Sequence, residues 1–600
     1  MDHERSTDHK LSTAYALATA NVLPLRVYRL RGTQVEMGRQ FGQLAATDGG
    51  FQAAIDLYAE RPTMAATMIA AGMPHRQRRT VERIVDTVFA RQRRRLHRIR
   101  TGHFADYAQR TAAGFAELGL PADRVSATFV MEALQNMVGV VGRTSMFTKP
   151  LQVAAVPMCS AVAVWGAATS DEALRHARNF DFPGGSIWDR APAVVFCDPD
   201  DGLRYGFVTT RGLDAPGITC FNEAGLTLSV HTRFHREVGW SGPSVIDLGH
   251  EIIRTCDTLD SAIETGRRLG ATSTWGLLIS SASQNRAAVL ETTAKRTAVT
   301  LSDSADTHLT CTNRYLSSEL RPGEVVASPD FATDSDDRQC QLERFVEDHR
   351  GSIDSAALQE VLGDLGAIDQ TDLSDDIVRL CGHSVVAHHS VASIVSNPQA
   401  RSIDVSVGAT PTGFGPYATV PWSWDGPVGV VGVVDDEQIG IGPIRGRDHR
   451  GRPLALDERA VSYEIAEVVQ RHLGGATPST TRAAIESLCA RVPNEPNLRR
   501  FAAQLALMCG DPGRAVTHVD HALTLEGTPG ARAKLLLARS RAHHSLGDPV
   551  AAATDRDEVI ALGRDSAPFE FAAAHREQAK ALSASALRKL SIDILHLDAR

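Results

Sequence analysis

Residues 156–166 read VPMCSAVAVWG, and residues 176–182 read HARNFDF. In the first run Cys159 opens an apolar stretch that alternates as far as Trp165, the period-two pattern of a strand. A cysteine at the head of such a strand is ordinary. The second run is not: another strand ends in Arg178-Asn179-Phe180-Asp181, so a fixed cation and a carboxylate follow shortly after the thiol. Taken alone, the Arg178/Asp181 pair is explained by a strand-end ion pair. Its nearness to Cys159 gives it a second reading, developed below.

Working outward, short alternating runs continue to about residue 435: APAVVFCD, YGFVTT, GLTLSVHT, WGLLISSA, AAVLETT, VASIVSN and IDVSVGA. Helical stretches such as VIDLGHEIIRTC and CQLERFVEDH interrupt them. Strands alternating with occasional helices predict a mixed α+β layer fold. Upstream, LRVYRLRG reads as a strand. Thr33 can then cap a helix whose apolar positions are Val35, Met37, Phe41 and Leu44.

Residues 50–145 read as mostly helical. They include a run with ten arginines between 76 and 100, in which Val81, Ile84, Val85, Val88 and Phe89 fall on one helix face. Two readings fit: a solvated face packed by that stripe, or a docking patch for an anionic partner.

After about residue 455 the chain is helical and Ala-rich. Gly510-Asp511-Pro512 recurs as Gly547-Asp548-Pro549, each between two helical stretches. This resembles degenerate tetratricopeptide-type helical hairpins, whose period is about 34 residues; a generic helical lobe is the plain alternative. Such repeats would offer a protein partner, or a second copy, a surface.

A 600-residue chain exceeds one hydrophobic core and predicts about two to four domains. The boundaries are placed at 1–158, 159–455 and 456–600. Hydrophobic content of 43% and charged content of 22% are those of a globular protein. A formal net charge of −8 argues against a nucleic-acid or anionic-membrane role. No apolar stretch reaches the ~18 residues of a membrane span. Nine scattered cysteines without a CxxC pair, and a weak N-terminus for a secretion signal, favour a reducing cytoplasm. The His pairs at 388–389 and 543–544 and the HVDH at 518–521 lack a completing ligand set, so no metal or cofactor is expected.

The two opening runs together resemble the active-site hairpin of the cysteine N-terminal-nucleophile hydrolases, the branch of isopenicillin N acyltransferase, β-alanyl-amine hydrolases and bile-salt hydrolases. Further motifs resemble the same family in the same chain order: Glu36-x-Gly38-x-x-x-Gly42 on the first helix, FNEAGLTLSVH at 221–231 and HLTCTNRYL at 308–316. The resemblance covers about residues 30–430. It implies an αββα sandwich of two antiparallel sheets between helices. It also implies a precursor that cuts its own Met158–Cys159 bond.

In such a family the freed α-amine of Cys159 serves as base, titrating near ~7.7–8.0 when unperturbed. Asp181 would hold that amine. Arg178 would lower the thiol pKa or offer a donor fork to Asp181 or the substrate. Asn222 and Asn313 would be oxyanion donors, although the Asn222 element would also make a hairpin turn. Arg401 is nominated for a further arginine used by some members. Arg338 and Leu342, in SDDRQCQLERFVEDH, are read as structural, and Arg314 stands where many members have histidine.

The activity so implied is cleavage of an acyl amide, from a small acylated amine or peptide-like natural product, through a thioester on Cys159. Transfer of the acyl group to an amine is the alternative, and a non-catalytic helical-repeat scaffold is the rival class.

Overall fold

The computed structural model describes residues 24–52, 100–120, 130–143, 158–182, 187–303, 305–326, 329–366, 379–434, 445–448, 450–473, 476–525 and 528–588, with isolated positions between 83 and 98. Most of the arginine-rich run, and Pro157, lie outside the described residues.

The chain enters through strand β1 (Leu25–Gly32) and helix α1 (Gln34–Asp48). Thr33 caps α1 as expected, in a full capping box with Glu36. The glycines of Glu36-x-Gly38-x-x-x-Gly42 then have a physical reason. Helix α2 (Ala105–Glu117) crosses so closely that a Cβ on Gly38 would lie 2.1 Å from the Arg110 carbonyl oxygen, and one on Gly42 2.3 Å from that of Gly114. Helix α3 (Val130–Arg143) follows.

Two sheets come next. The small sheet is built on β2 (Met158–Gly166) and β3 (Glu172–Asp181), in the order β11-β2-β3-β12-β13-β14. Its other strands are β11 (His308–Cys311), β12 (Ser390–Asn397), β13 (Ser402–Ser406) and β14 (Tyr417–Pro421).

The large sheet runs β10-β9-β8-β7-β6-β5-β4-β1-β15. It comprises β4 (Pro192–Pro199), β5 (Tyr205–Thr210), β6 (Thr219–Asn222), β7 (Leu226–Thr232), β8 (Trp275–Ser281), β9 (Arg286–Thr292), β10 (Thr297–Leu301) and β15 (Gly429–Val434), together with β1. Every pairing is antiparallel except β1 with β4.

Alternate residues sort the layers. Ala161, Ala163 and Trp165 of β2 pack against Leu278 and Val289 of the large sheet. Their neighbours Val162 and Val164 turn the other way, onto Leu342 and Val346 of α6 (Pro329–Asp348) and Leu358 of α7 (Ser355–Leu362). The outer face of the large sheet, through Leu228, Leu277 and Leu290, packs on Ile252 of α4 (Val245–Thr255) and Ile263 of α5 (Leu259–Leu269). The result is a helix–sheet–sheet–helix sandwich, the fold expected.

The C-terminal lobe consists of α8 (Leu456–Leu473), α9 (Pro478–Arg491), α10 (Pro496–Met508), α11 (Pro512–Leu525), α12 (Pro529–Ser545), α13 (Pro549–Leu562), α14 (Pro568–Ala579) and the short α15 (Ala584–Leu587). Helices α9 to α14 each open on a proline, whose missing N–H costs nothing in the first turn. Both Gly-Asp-Pro turns precede a helix as expected, with Gly510 and Gly547 at positive φ.

Neither expected domain boundary is a gap in packing. Strand β1 belongs to the segment before Cys159, yet lies between β4 and β15 inside the large sheet. At the other end Val461, Ile465, Leu488, Leu498 and Phe501 share one core cluster with the sandwich. Two hydrogen bonds fasten this contact: Leu380 N–H donates to Glu495 Oε2 at 2.5 Å, and Asn497 Nδ2 donates to the Cys381 carbonyl at 2.8 Å.

Candidate active site

The alternation of β2 and β3 decides which side chains meet. Cys159 has the parity of Ala161 and Ala163, so its thiol enters the space between the sheets; Ser160 points toward α6. Cys159 pairs in register with Phe180, and Met158 with Asp181. Arg178 and Asp181 are three residues apart on β3 and therefore take opposite faces.

Arg178 crosses to the large sheet. Its Nη1 donates to the Ile218 carbonyl at 2.6 Å and to Thr219 Oγ1, and its Nη2 to the Val230 carbonyl at 2.6 Å and to Cys159 Sγ at 3.2 Å. The expected Arg178–Asp181 fork is thus replaced by a clamp on β6, β7 and the sulfur. Burial pushes the Cys159 thiol up, and the Arg178 guanidinium opposes that rise.

Asp181 is fully buried. Its Oδ1 accepts from Ser390 Oγ at 2.5 Å, while Oδ2 has no hydrogen-bond partner among the described residues. Burial raises the carboxyl to about 7, against the pull of Arg338, Ser390 and Arg178. At neutral pH this acid is therefore poised between its two protonation states.

Asn313 follows the end of β11, beside Cys159. Its Oδ1 accepts from the Cys159 backbone N–H at 2.9 Å, and its Nδ2 donates to the Thr232 carbonyl at 3.1 Å. Its own N–H is held by Ser335 Oγ at 2.9 Å, and the preceding Thr312 carbonyl accepts from Arg233 Nη1. Among the described residues one Nδ2 hydrogen is left over.

Arg338, read from the sequence as structural, lies against the candidate nucleophile. On α6, fully buried, it donates to the Cys159 carbonyl at 2.7 Å, to Ser160 Oγ at 2.8 Å and to Asn313 Oδ1 at 3.0 Å, while Asp334 holds its Nε at 2.7 Å. It grips the nucleophile's backbone and the asparagine that touches it. The signal was the SDDRQCQLERFVEDH segment itself, and the companion residue, Ser390, sits directly after His388-His389.

Two expected site residues lie elsewhere. Asn222 donates both Nδ2 hydrogens into α4, to the Ile253 carbonyl at 2.9 Å and the Cys256 carbonyl at 2.8 Å, and its Oδ1 accepts from Leu226 N–H. No donor remains for an oxyanion. Asn222 also stands three residues beyond Thr219, roughly 10 Å along the strand from the Arg178 clamp. It is a turn lock.

Arg401, exposed and at φ 51°, lies in the β12–β13 turn. Ser390, which bonds Asp181, begins β12, and this turn follows the strand's far end, roughly 20 Å away. Arg401 therefore does not supply the further arginine. Arg314 is held by Glu324 and Asp336, each at 2.8 Å.

The assembled site thus joins a buried thiol under a guanidinium, an amide N–H at the head of a strand, a carboxyl titrating near neutrality and an asparagine with a spare donor. No protein-family model matches the chain, and no curated protein matches it. Among solved structures the chain is similar to an N-acylethanolamine-hydrolyzing acid amidase (NAAA) ortholog from Caenorhabditis elegans, at 14% identity over 40% of this chain and 93% of that one, with a TM-score of 0.27. At that score the likeness adds nothing to what the two sheets show by themselves.

Proposed function

We propose that the chain is a self-cleaving cysteine amidase whose mature nucleophile is the N-terminal Cys159. The observation that carries this reading is the convergence on one residue. Arg178 contacts the Cys159 sulfur, Asn313 its backbone nitrogen and Arg338 its carbonyl, and the adjacent Met158 pairs with Asp181. Holding both the sulfur and the backbone nitrogen of one cysteine has a plain purpose if the nitrogen is to become an amine.

Maturation would begin with attack of the Cys159 sulfur on the Met158 carbonyl carbon, the thiol proton passing through water to Asp181, whose carboxyl lies on the other face of the hairpin. The C–N bond then breaks, the nitrogen takes the proton and leaves as the α-amine, and a thioester remains. Water hydrolyses it to a Met158 carboxylate and a free thiol. In turnover the α-amine takes the thiol proton, the sulfur attacks the substrate amide, and the proton goes to the leaving amine. Water then releases the acyl group. The spare Nδ2 hydrogen of Asn313 is the donor for the tetrahedral oxyanion, a role worth roughly 3–4 kcal/mol. Cys159 shares a packed cluster with Phe180, Phe182 and Trp188, which favours an apolar acyl group.

Intact mass and N-terminal sequencing of the purified protein test this directly. Two fragments are expected, the larger beginning Cys159-Ser160-Ala161-Val162, and Cys159→Ala should stay whole. A wild-type chain that remains intact after prolonged incubation at pH 8 would refute the proposal.

A further inference from the structure

A cavity of about 290 Å³ opens beside the β9–β10 turn, outside the machinery described above. Its wall includes Arg267 and Arg268 from the end of α5, Lys295 and Arg296 from the turn, and the hydroxyl residues Ser241 and Thr297. Among the described residues no carboxylate lines it. Arg296 is fixed by Glu237 at 2.9 Å and Glu319 at 3.3 Å. Arg267, Arg268 and Lys295 are exposed and have no ion pair among the described residues. In a chain of net charge −8, three uncompensated cations around one cavity are not a consequence of composition.

The plain account is that basic residues in a helix's last turn complement its dipole. It covers Arg267 and Arg268 but not Lys295, which arrives from a different hairpin. The dipole also counts against an anion here, by about half a unit charge, against three full positive charges.

We propose that this cavity binds a phosphate-class anion. Guanidinium groups match phosphate oxygens with paired donors, and lysine adds a mobile point charge. The space equals roughly ten water volumes, room enough for a diphosphate. It lies at the same end of the large sheet as the nucleophile. Thr232, whose carbonyl Asn313 holds, pairs with Trp275, Trp275 with Thr292, and Thr292 with Thr297. Three strand spacings put the cavity roughly 14 Å from Thr232.

The test is independent of catalysis. Full-length Cys159→Ala protein is titrated calorimetrically with inorganic pyrophosphate and, separately, with a nucleoside diphosphate. One salt-sensitive site per chain is expected, weakened roughly tenfold or more in R267Q/R268Q/K295Q. A charge-matched control on the helical lobe, R564Q/K580Q/R588Q, should bind as the parent does. Tighter binding of the nucleoside diphosphate identifies an esterified ligand, and equal or weaker binding identifies the free anion. Absence of binding at millimolar concentration overturns the proposal. So does unchanged binding in the cavity variant, or equal loss in the control.

Discussion

Replacing Arg338 separates what holds the fold from what positions the nucleophile. In Arg338→Met four hydrogen bonds go, to the Cys159 carbonyl, Ser160 Oγ, Asn313 Oδ1 and Asp334. The largest penalty is Asp334, whose side chain is 4% exposed and would be left as an unpaired buried carboxylate, a loss of ~3–5 kcal/mol. Each neutral acceptor stripped of its donor adds about 1 kcal/mol. The sum is comparable to the 5–15 kcal/mol that holds a typical domain, so this variant alone should express poorly.

The informative protein is Arg338→Met/Asp334→Leu. With both charges gone, most of the penalty goes too, and the double variant should melt within a few degrees of the parent. Its chemistry should not recover. Asn313 Oδ1 keeps only the Cys159 N–H, and the Cys159 carbonyl is no longer held. Misplacement of a reacting group by about 1 Å costs roughly 10²-fold in rate. Precursor half-life by mass spectrometry, read beside thermal unfolding, measures both effects. Arg338→Lys is the companion: it keeps a charge for Asp334 but has no fork to reach Cys159, Ser160 and Asn313 together. A well-folded double variant that matures at the parental rate would refute the positioning role. A single variant as stable as the parent would refute the buried-charge argument.

Because the folded Asp181 pKa is raised to about 7, maturation should accelerate as pH rises through that value, and Ser390→Ala, which removes a bond that lowers it, should move the limb higher; a flat profile from pH 5 to 8 sinks Asp181 as proton acceptor. The same shift gives a stability effect of definite sign. The folded state binds the extra proton between pH 3.8 and about 7, so stability is lost as pH rises across that window. In a Cys159→Ala background, Asp181→Asn should remove this slope and gain up to ~4 kcal/mol at pH 8 by chemical denaturation.

Asn313→Ala should lower turnover by roughly 10²–10³-fold. Asn222→Ala should instead cost ~1–3 kcal/mol of stability with kcat unchanged, and the reverse pattern would restore Asn222 to the site. Truncation near residue 470 removes Leu488, Leu498 and Phe501 from the shared core and should give insoluble, unprocessed chain. Ending after residue 509 keeps them and should still mature.

What the sequence made legible is what neighbouring residues decide. Alternation identified β2 and β3, Thr33 and Glu36 marked the start of α1, and the Gly-Asp-Pro turns marked helices in the lobe. The nearness of Cys159, Arg178 and Asp181 was legible because one hairpin carries all three. What it concealed depends on contacts between distant segments. Arg338 meets the Cys159 carbonyl across 179 residues of chain, from a helix whose pattern says only that it packs on a sheet. Asn222 misled because Asn-Glu-Ala-Gly makes the same turn whether its amide faces a substrate or the end of α4. Arg401 misled because a loop sequence does not tell which end of a strand it joins.

The opposite facing of Arg178 and Asp181 also bears on why a nucleophile of this kind would be made by cutting the chain. Within a continuous strand, a thiol between the sheets and a carboxyl on the helix-facing side are separated by the backbone. At a strand's first residue that separation ends. Freed from Met158, the Cys159 nitrogen gains protons and rotational freedom about its bond to Cα, so its N–H groups can point toward either face. Asn313 already holds that nitrogen in the uncut chain, and Arg338 holds the carbonyl on its other side. The cut therefore needs no rearrangement of the remaining contacts. The smaller fragment would stay, because β1 is bonded on both edges, to β4 and β15. On this reasoning the mature protein should purify as two inseparable chains, and separating them should require denaturing the large sheet.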